Sequence, residues 1–295
     1  MAVRLEPSAL VYDVGGSHVS AAVCLDSTYR LGPVVNTPYP SEQSVDAFIH
    51  VLHSLGVEAS TGFAGVAGAE LAMPGPFDFN GGVSLMRHKL PYLYGVDLRE
   101  LLAQHFGWQR SQVRFLGDAA AFLLGEIGAG AAHGVARSVG ITLGTGIGSA
   151  FGVDGRVVTE GPGVAPNGEI WNLPYEGGIL EDALSTRAIQ RSYANRTGVV
   201  PDVATIAATA ADDPNASAAF VEFGNHLGQA LRMLLSEFAP QVVVLGGGIA
   251  RSAHLFLPAA ESQLEGLNFH LVVSALKDNA PLVGAAVEWF NGTKC

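Results

Sequence analysis

Glycine-rich turns follow apolar strands at three places in this chain of 295 residues. They are Asp13-Val14-Gly15-Gly16-Ser17, Gly144-Thr145-Gly146-Ile147-Gly148 and Gly246-Gly247-Gly248. Glycine lacks a Cβ, so its backbone can approach an anion closely, adopt positive φ and direct successive N–H groups at phosphate oxygens. One such turn also fits an ordinary hairpin. Three in this order predict a nucleotide phosphate site built from two related halves.

The net charge and the cysteine content of the chain limit the ligands and the cellular location that we expect for it. The formal net charge is -11, and an acidic chain disfavours nucleic acid or long polyphosphate, because Lys and Arg bind such ligands. The two cysteines, Cys24 and Cys295, cannot form a disulfide framework or a cysteine zinc cluster within one chain. The sequence shows neither a secretion signal nor a membrane span. We therefore expect a cytoplasmic protein with a small-molecule ligand.

The apolar runs predict two α/β domains, since single cores stop growing near roughly 250–300 residues. In the first half they indicate a hairpin or meander over residues 10–35, a strand from 62–67 towards Met73, a strand over 113–116, and helices over 44–55, 97–106 and 119–127. The second half repeats this order, with a hairpin over 139–158, a strand over 242–245, and helices over 181–195, 216–238, 252–265 and 281–290. The predicted domains are 1–116 and 117–280, with the last helix, 281–295, packing back on the first.

Two aspartates follow apolar strands. Asp118 lies between a strand and a helix, and ligands of open α/β sheets bind at the carboxyl ends of strands. It is the candidate general base for phosphoryl transfer to a hydroxyl, although an N-cap for a helix beginning at Ala119 fits as well. Asp13 is the candidate Mg²⁺ ligand, acting through water, with a buried turn-capping Asp as the alternative.

The order of motifs resembles the ROK family (repressors, open reading frames, kinases) of the actin-like ATPase superfamily. The first and second glycine turns are similar to its two phosphate motifs, and the third is similar to its adenosine motif. Other segments resemble its Pro-Gly-Pro loop, its catalytic Asn-Asp-Ala-Asn segment, its sugar motif and the segment after its zinc cysteines; these are Met73–Asp78, Gly117–Ala120, Gly168–Ile170 and Leu180-Glu181 with Ser185. The resemblance implies an α/β fold of two ribonuclease H-like domains with a cleft between them.

It also implies an ATP- and Mg²⁺-dependent sugar kinase in which Asp118 is the general base. The implied nucleotide- and phosphate-binding residues are Asp13, Gly15, Gly16, Ser17, Gly144, Thr145, Gly146, Gly246, Gly247 and Gly248. The implied substrate-binding residues are Gly75, Asn80, Lys89, Asp118, Asn167, Glu169, Asn172 and Glu181. Carboxylates such as Glu169 and Glu181 accept paired hydrogen bonds from neighbouring hydroxyls. The alternatives are a solvated loop acid and a helix N-terminal acid, while the Asn and Lys residues also fit turns or surface positions.

The chain departs from the family pattern at the zinc and sugar motifs. Trp171-Asn172 stands where Gly-His is expected, and Tyr175–Gly178 contains no cysteine, so we expect no structural zinc. Gly117 and Lys89 replace sugar-contacting Asn positions. Because the usual glucose contacts are partly lost, the expected substrate is another hexose, an amino sugar or a cyclitol. Trp171 fits either stacking on a sugar ring or core packing.

A second hypothesis is a catalytically weak sugar-binding or regulatory ROK protein without a DNA-binding domain. ROK repressors carry several tens of residues ahead of the first phosphate motif, whereas twelve residues precede Asp13 here. The retained Asp118 favours the kinase. A chaperone-like or actin-like ATPase is disfavoured by the length of the chain and by its sugar motif. A homodimer is the default assembly.

Overall fold

The computed structural model describes residues 8–15, 18–39, 43–63 and 65–292. The chain divides into two compact units. Unit 1 comprises Met1–His133 with Asp278–Cys295, and unit 2 comprises Gly134–Lys277. No helix within the described residues is long and apolar enough to cross a membrane.

Unit 1 is organised around a mixed sheet with the order β3-β2-β1-β4-β7. The strand β2 is antiparallel to both of its neighbours, whereas β1, β4 and β7 run parallel. The elements up to residue 133 are β1 (Ala9–Val14), β2 (His18–Cys24), β3 (Val35–Pro38), α1 (Val45–Ala59), β4 (Ala69–Met73), β5 (Phe77–Asp78), β6 (Val83–Ser84), α2 (Leu98–Phe106), β7 (Val113–Gly117) and α3 (Asp118–Ala129).

Capping residues set the helix starts in unit 1. The Ser44 hydroxyl accepts a hydrogen bond from the Ala47 N–H at the start of α1, and the Asp97 carboxylate accepts one from the Glu100 N–H at the start of α2. Both predicted helices are confirmed, although α1 continues to Ala59. The strand predicted to run towards Met73 is present as β4, but it begins at Ala69 and not at Gly62. Glycines before it take positive φ, which β-strands exclude; they are Gly62, Gly65 and Gly68.

Unit 2 repeats the sheet of unit 1. Its strand order is β10-β9-β8-β13-β14, with β9 antiparallel to its neighbours and β8, β13 and β14 parallel. The elements are β8 (Arg137–Leu143), β9 (Ile147–Val153), β10 (Arg156–Val158), β11 (Pro174–Tyr175), β12 (Gly178–Ile179), α4 (Leu180–Ala183), α5 (Thr186–Thr197), α6 (Val203–Thr209), α7 (Pro214–Leu235), β13 (Val242–Gly246), α8 (Ala253–Ser262) and β14 (His270–Val273). The repeated order confirms the predicted duplicated α/β fold.

One predicted helix of unit 2 is broken. The pattern predicted a continuous helix over residues 181–195, but α4 and α5 are separated at Leu184 and Ser185. Both residues are buried and have non-helical backbone, with φ −124° and ψ 51° at Leu184 and φ −140° and ψ 170° at Ser185. The short elements α6 and β14 were not predicted, because runs of seven and four residues carry little periodicity.

The last helix, α9 (Ala280–Asn291), packs against α3, β1 and β4 in unit 1. Glycines bring the backbones of α3 and α9 together: a Cβ on Gly125 would lie 2.1 Å from the Ala280 carbonyl oxygen, and one on Gly284 would lie 1.7 Å from that of Ala121. The observed division therefore differs from the predicted boundary after residue 116. Unit 1 extends to His133, because α3 is joined to the same core as α9.

A buried ion pair links two strands of unit 1. Glu70 on β4 is paired in register with Arg114 on β7, and the Arg114 Nε lies 2.7 Å from the Glu70 carboxylate. Glu70 is 1% exposed, and burial raises its pKa to about 8, while the Arg114 charge acts in the opposite direction. The Arg114 guanidinium lies 4.2 Å from the centre of the Trp289 ring on α9. The pair thus connects the sheet with the last helix.

Candidate active site

Three parallel strands of unit 1 end at one edge of its sheet. Asp13 on β1 is paired with Ala72 on β4, and Met73 on β4 is paired with Gly117 on β7. This strand pairing places Asp13, the loop after Met73 and Asp118 at the carboxyl edge of the same sheet. This is the edge at which ligands bind in open α/β sheets.

Asp118 is half-buried and is the first residue of α3. Gly117 takes the N-cap position, and the Asp118 Oδ1 accepts a hydrogen bond from the Ala119 N–H at 2.8 Å. Asp118 is therefore not the N-cap residue itself. Its carboxylate instead accepts a hydrogen bond from an N–H in the first turn of the helix. A helix start stabilises negative charge, so this position suits a carboxylate.

Asp13 lies among other carboxylates. Burial, together with the smaller effects of the Asp118 and Asp278 charges, raises its pKa to about 7. Asp278 was not predicted, because no motif surrounds it and it is far from both other aspartates in the sequence. The charges of Asp118 and Asp278 thus disfavour the ionised form of Asp13.

Tyr39 fixes the first glycine turn. Its hydroxyl donates to the Gly15 carbonyl, and its ring stacks on Phe48 with 6.3 Å between ring centres. Burial raises the pKa of Tyr39 well above its usual value, and Tyr92, Asp13 and Asp118 add to the shift. Tyr39 was also missed from the sequence, since a tyrosine after a strand carries no signal of its own. The predicted phosphate residues Gly16 and Ser17 lie outside the described residues.

The remaining predicted substrate residues of unit 1 lie on loops. Gly75, Asn80 and Lys89 are exposed. The Arg99 guanidinium donates to the backbone carbonyls of Phe79 (3.0 Å) and Asn80, so the backbone of the loop is held while the Asn80 side chain faces solvent.

The second and third glycine turns meet in unit 2. The Gly144 N–H donates to the Gly146 carbonyl (3.0 Å), and the Gly144 carbonyl accepts from both the N–H (2.8 Å) and the hydroxyl (3.0 Å) of Thr186. Gly247 has φ +83°, and a Cβ there would lie 2.4 Å from the Leu143 carbonyl oxygen. Gly246 is buried, whereas Thr145 and Gly248 are exposed. The structure therefore brings the two turns side by side, and Thr186 is an unpredicted clamp on one of them.

This packing distinguishes two neighbouring glycines. We expect Gly247→Ala to lower the free energy of unfolding by about 1–3 kcal/mol, because the new Cβ meets backbone and the positive φ is strained. Gly248→Ala is the matched control, since a Cβ there meets nothing within 4 Å. Urea unfolding of both variants measures the difference. Equal stability of the two would contradict the proposed close approach.

Glu181 lies against the second glycine turn. Its Oε2 accepts from the Ile147 N–H at 3.3 Å and would lie 2.2 Å from a Cβ on Gly146. Its Oε1 lies 3.2 Å from the Arg187 guanidinium. The predicted sugar-binding carboxylate is thus placed at a predicted phosphate-binding turn, and neither the turn nor the helix pattern signalled this contact.

The sugar-motif segment is anchored on β9. The Ser149 hydroxyl donates to the Gly168 carbonyl (2.6 Å) and accepts from the Ile170 N–H (3.1 Å). The Trp171 indole N–H donates to the Glu169 carboxylate at 3.0 Å, and Trp171 is 41% exposed, so it does not pack in the core. Asn167 and Asn172 are exposed, and Asn167 has φ +57°, a turn conformation. Glu169 and Trp171 therefore form one exposed pair.

Comparison with known proteins decides the family. The model of the ROK family matches residues 10–291. The chain belongs to the ROK family.

Several relatives of the chain are sugar kinases by name. The glucokinase of Thermotoga maritima is 28% identical over 73% of this chain and 77% of its own. The N-acetyl-D-glucosamine kinase of Yersinia pseudotuberculosis is 24% identical over 83% of this chain and 85% of its own. The ROK hexokinase structure from Thermus thermophilus has a TM-score of 0.80 at 28% identity and covers 98% of this chain and 100% of that one. These findings confirm the predicted family and fold class.

The β11–β12 hairpin contains Tyr175–Gly178, the segment in which the sequence resemblance led us to expect no zinc ligands. The Tyr175 hydroxyl donates to the Gln229 side chain (3.1 Å) and lies 2.9 Å from Nδ1 of His226 on α7. Among the residues that the structure describes, no group of three or more His, Cys, Asp and Glu is arranged to hold a metal. Side-chain hydrogen bonds therefore tie this hairpin to α7.

Proposed function

We propose that this ROK protein is an ATP-dependent sugar kinase that phosphorylates a hydroxyl of a hexose, an amino sugar or a cyclitol. The observation that carries the proposal is the meeting of Asp13 and Asp118 at the carboxyl edge of one sheet. The kinase names of its relatives support it. The cytoplasmic location and the homodimer stay predictions.

Asp118 is the proposed general base. Its carboxylate takes the proton of the acceptor hydroxyl while the hydroxyl oxygen forms a bond to the γ-phosphorus of ATP. The bond between that phosphorus and the oxygen of ADP breaks, and ADP leaves with its electron pair. The hydrogen bond from the Ala119 N–H holds one oxygen of the Asp118 carboxylate. Because the carboxylate is planar, this contact also limits the direction in which the other oxygen points.

Asp13 is the proposed Mg²⁺ ligand, through water. Asp13 and Asp118 lie at the carboxyl edge of one sheet, and their carboxylates are hard oxygen donors whose charge a divalent cation would offset. Mg²⁺ is commonly held by one or two carboxylates together with water and substrate phosphates, which fits a site lacking a full protein cage. When bound, Mg²⁺ neutralises the charge that develops on the transferred phosphoryl group.

The glycine turns are the proposed nucleotide site. In unit 2, the adjoining turns at Gly144–Gly146 and Gly246–Gly248 offer backbone N–H groups, and Thr186 holds the first of them in place. In unit 1, Gly15 is held by Tyr39. Rigid N–H groups stabilise phosphate charge without reorganising during the reaction. The Glu169–Trp171 pair is the proposed contact for the sugar, with a carboxylate for hydroxyls and an indole face for the ring.

We expect glucose to be a poor substrate. Gly117, Asn172 and Lys89 replace residues that contact sugars in the family, and an unpaired group in a hydrogen-bonding site disfavours a ligand by a few kcal/mol. Another hexose, an amino sugar or a cyclitol should exceed glucose in kcat/KM by at least about tenfold, or roughly 1.4 kcal/mol.

A coupled ADP-release assay of the purified protein over a panel of hexoses, amino sugars and cyclitols tests both the proposed kinase activity and the expected low activity with glucose. Reactions without sugar and with the Asp118→Asn protein provide the background. Sugar binding without ADP release for every compound would favour the regulatory alternative over the kinase. Glucose as the best substrate would show that the replaced positions do not control specificity.

A further inference from the structure

The Glu181 carboxylate is held at the second glycine turn from two sides. One oxygen accepts from the Ile147 N–H, and the other lies 3.2 Å from the Arg187 guanidinium. The first oxygen also lies 2.2 Å from where a Cβ of Gly146 would be, so it fills the space that this glycine leaves open. An anion of the chain itself thus occupies an N–H donor of the turn.

The same donors suit a phosphate group. A backbone N–H of a glycine-rich turn, here that of Ile147, and a guanidinium are both suited to phosphate oxygens, and Arg binds such oxygens in a bidentate manner. The Arg187 side chain is 68% exposed, so it can reorient towards a ligand. The Gly144 carbonyl accepts two hydrogen bonds from Thr186, the neighbour of Arg187, and these bonds connect the turn to the start of α5.

We propose that Glu181 and Arg187 form a carboxylate latch on the second glycine turn. In the free protein, the Glu181 carboxylate takes the place of a phosphate. The phosphate chain of the nucleotide displaces it from the Ile147 N–H and takes over the Arg187 guanidinium. This inference rests on the proposed nucleotide site, and it adds Arg187 as a phosphate-binding residue.

The latch makes nucleotide binding compete with Glu181. Two anions cannot share one N–H donor at this distance without repulsion, so the nucleotide must offset the loss of the Glu181 contacts. Displacement frees the carboxylate of Glu181 for sugar hydroxyls, the role that the sequence predicts for it. Because coupling between two ligands is reciprocal, a sugar that binds Glu181 should in turn strengthen nucleotide binding.

Calorimetric titration of MgATP into the protein without sugar tests the latch. Glu181→Gln removes the competing charge and should tighten MgATP binding by about tenfold, within the range of typical coupling between sites. Glu181→Ala, which also removes the amide, should tighten it as well. In the Glu181→Gln background, Arg187→Ala should weaken MgATP binding by about tenfold, because the guanidinium then serves the phosphate alone.

Neighbouring residues provide matched controls. Asp182→Asn removes the same charge at the next position, but its carboxylate contacts the Ile179 N–H (3.1 Å) and not the glycine turn. Arg191→Ala removes a cation one helical turn beyond Arg187, where it donates to the Asp182 carbonyl. Both controls should leave MgATP affinity within about twofold of the wild type, and the melting temperature of each variant verifies its fold.

The outcomes separate the latch from the proposed function. If the wild type binds MgATP and neither Glu181 variant binds it more tightly, the latch is refuted while the nucleotide site stands. An equal gain in Asp182→Asn would also refute it, since the effect would then be general electrostatics. If no variant binds MgATP, the nucleotide site itself is refuted and the latch with it. Binding that appears only after Glu181 is replaced would support the latch strongly.

Discussion

Replacing Asp118 with Asn is expected to lower kcat by about 10²–10⁴-fold, the usual contribution of a positioned general base. The amide keeps the shape of the side chain and can still accept from the Ala119 N–H, but it cannot take a proton at neutral pH. Nucleotide affinity should change little, because the lost proton transfer belongs to the reaction step. Steady-state kinetics with the best sugar of the panel, together with MgATP calorimetry, measures both quantities.

Asp97→Asn is the matched control for this variant. Asp97 also stands at a helix start in unit 1, and its carboxylate accepts from the Glu100 N–H at 2.9 Å and pairs with Arg110. Asn caps helices about as well as Asp, so the control should keep the wild-type kcat. Activity of Asp118→Asn within threefold of the wild type would remove Asp118 from the mechanism, whereas an equal loss in both variants would point to a structural effect.

The sequence predicted the parts of the fold that depend on local chemistry. Ser44 and Asp97 mark the starts of α1 and α2, because a side-chain oxygen before an apolar helix pattern satisfies its first N–H groups. The repeated order of strands and glycine turns predicted two related halves, which the matching sheet orders confirm. Patterns within some ten residues are visible without knowledge of tertiary contacts.

Contacts between distant segments could not be predicted in this way. The boundary of unit 1 depends on the glycines by which α3 approaches α9, and nothing local distinguishes Gly125 or Gly284 from other helix glycines. The break between α4 and α5 depends on the burial of Leu184 and Ser185, which overrides their fit to a helix. Tertiary packing decides such positions.

The candidate site shows the same limit. The sequence predicted Asp13 as a Mg²⁺ ligand and Asp118 as a general base. The register of the sheet then explains why both residues lie at the same edge. Tyr39 and Asp278 join them from segments without any motif. Glu181 was recognised as a binding residue, but its contact with the Ile147 N–H requires the three-dimensional arrangement of α4 and the glycine turn. Their roles therefore remain proposals for the experiments above.

The buried pair of Glu70 and Arg114 predicts a large effect on stability. Arg114→Met keeps most of the side-chain volume but leaves the Glu70 carboxylate, which is 1% exposed, without its cation. Removing one partner of a buried pair costs about 3–5 kcal/mol where the other group keeps its charge, and it costs less where that group takes up a proton. Urea unfolding at pH 8 measures this loss. In the double variant Glu70→Gln/Arg114→Met, which buries no charge, most of the stability should return.

The loss of unfolding free energy in Arg114→Met should also grow with pH. Burial raises the pKa of Glu70 to about 8 in the folded protein, from 4.5 without the fold, so the folded state favours the protonated acid. The stability from Glu70 is therefore complete below pH 4.5 and falls as the pH rises towards 8. Without Arg114, which lowers this pKa, the folded pKa lies higher still and the fall continues to higher pH, so the difference between Arg114→Met and the wild type should be larger at pH 8 than at pH 5.

Arg110→Met is the control for this comparison. Arg110 pairs with Asp97 and Glu100 at the surface of the same unit, where all three side chains are at least 39% exposed. Exposed pairs contribute only about 0–1 kcal/mol, so this variant should lose little stability at either pH. Two outcomes would contradict the prediction: a similarly small loss in Arg114→Met, or a loss that does not increase between pH 5 and pH 8. Either result would mean that water reaches Glu70 and stabilises its carboxylate in place of Arg114.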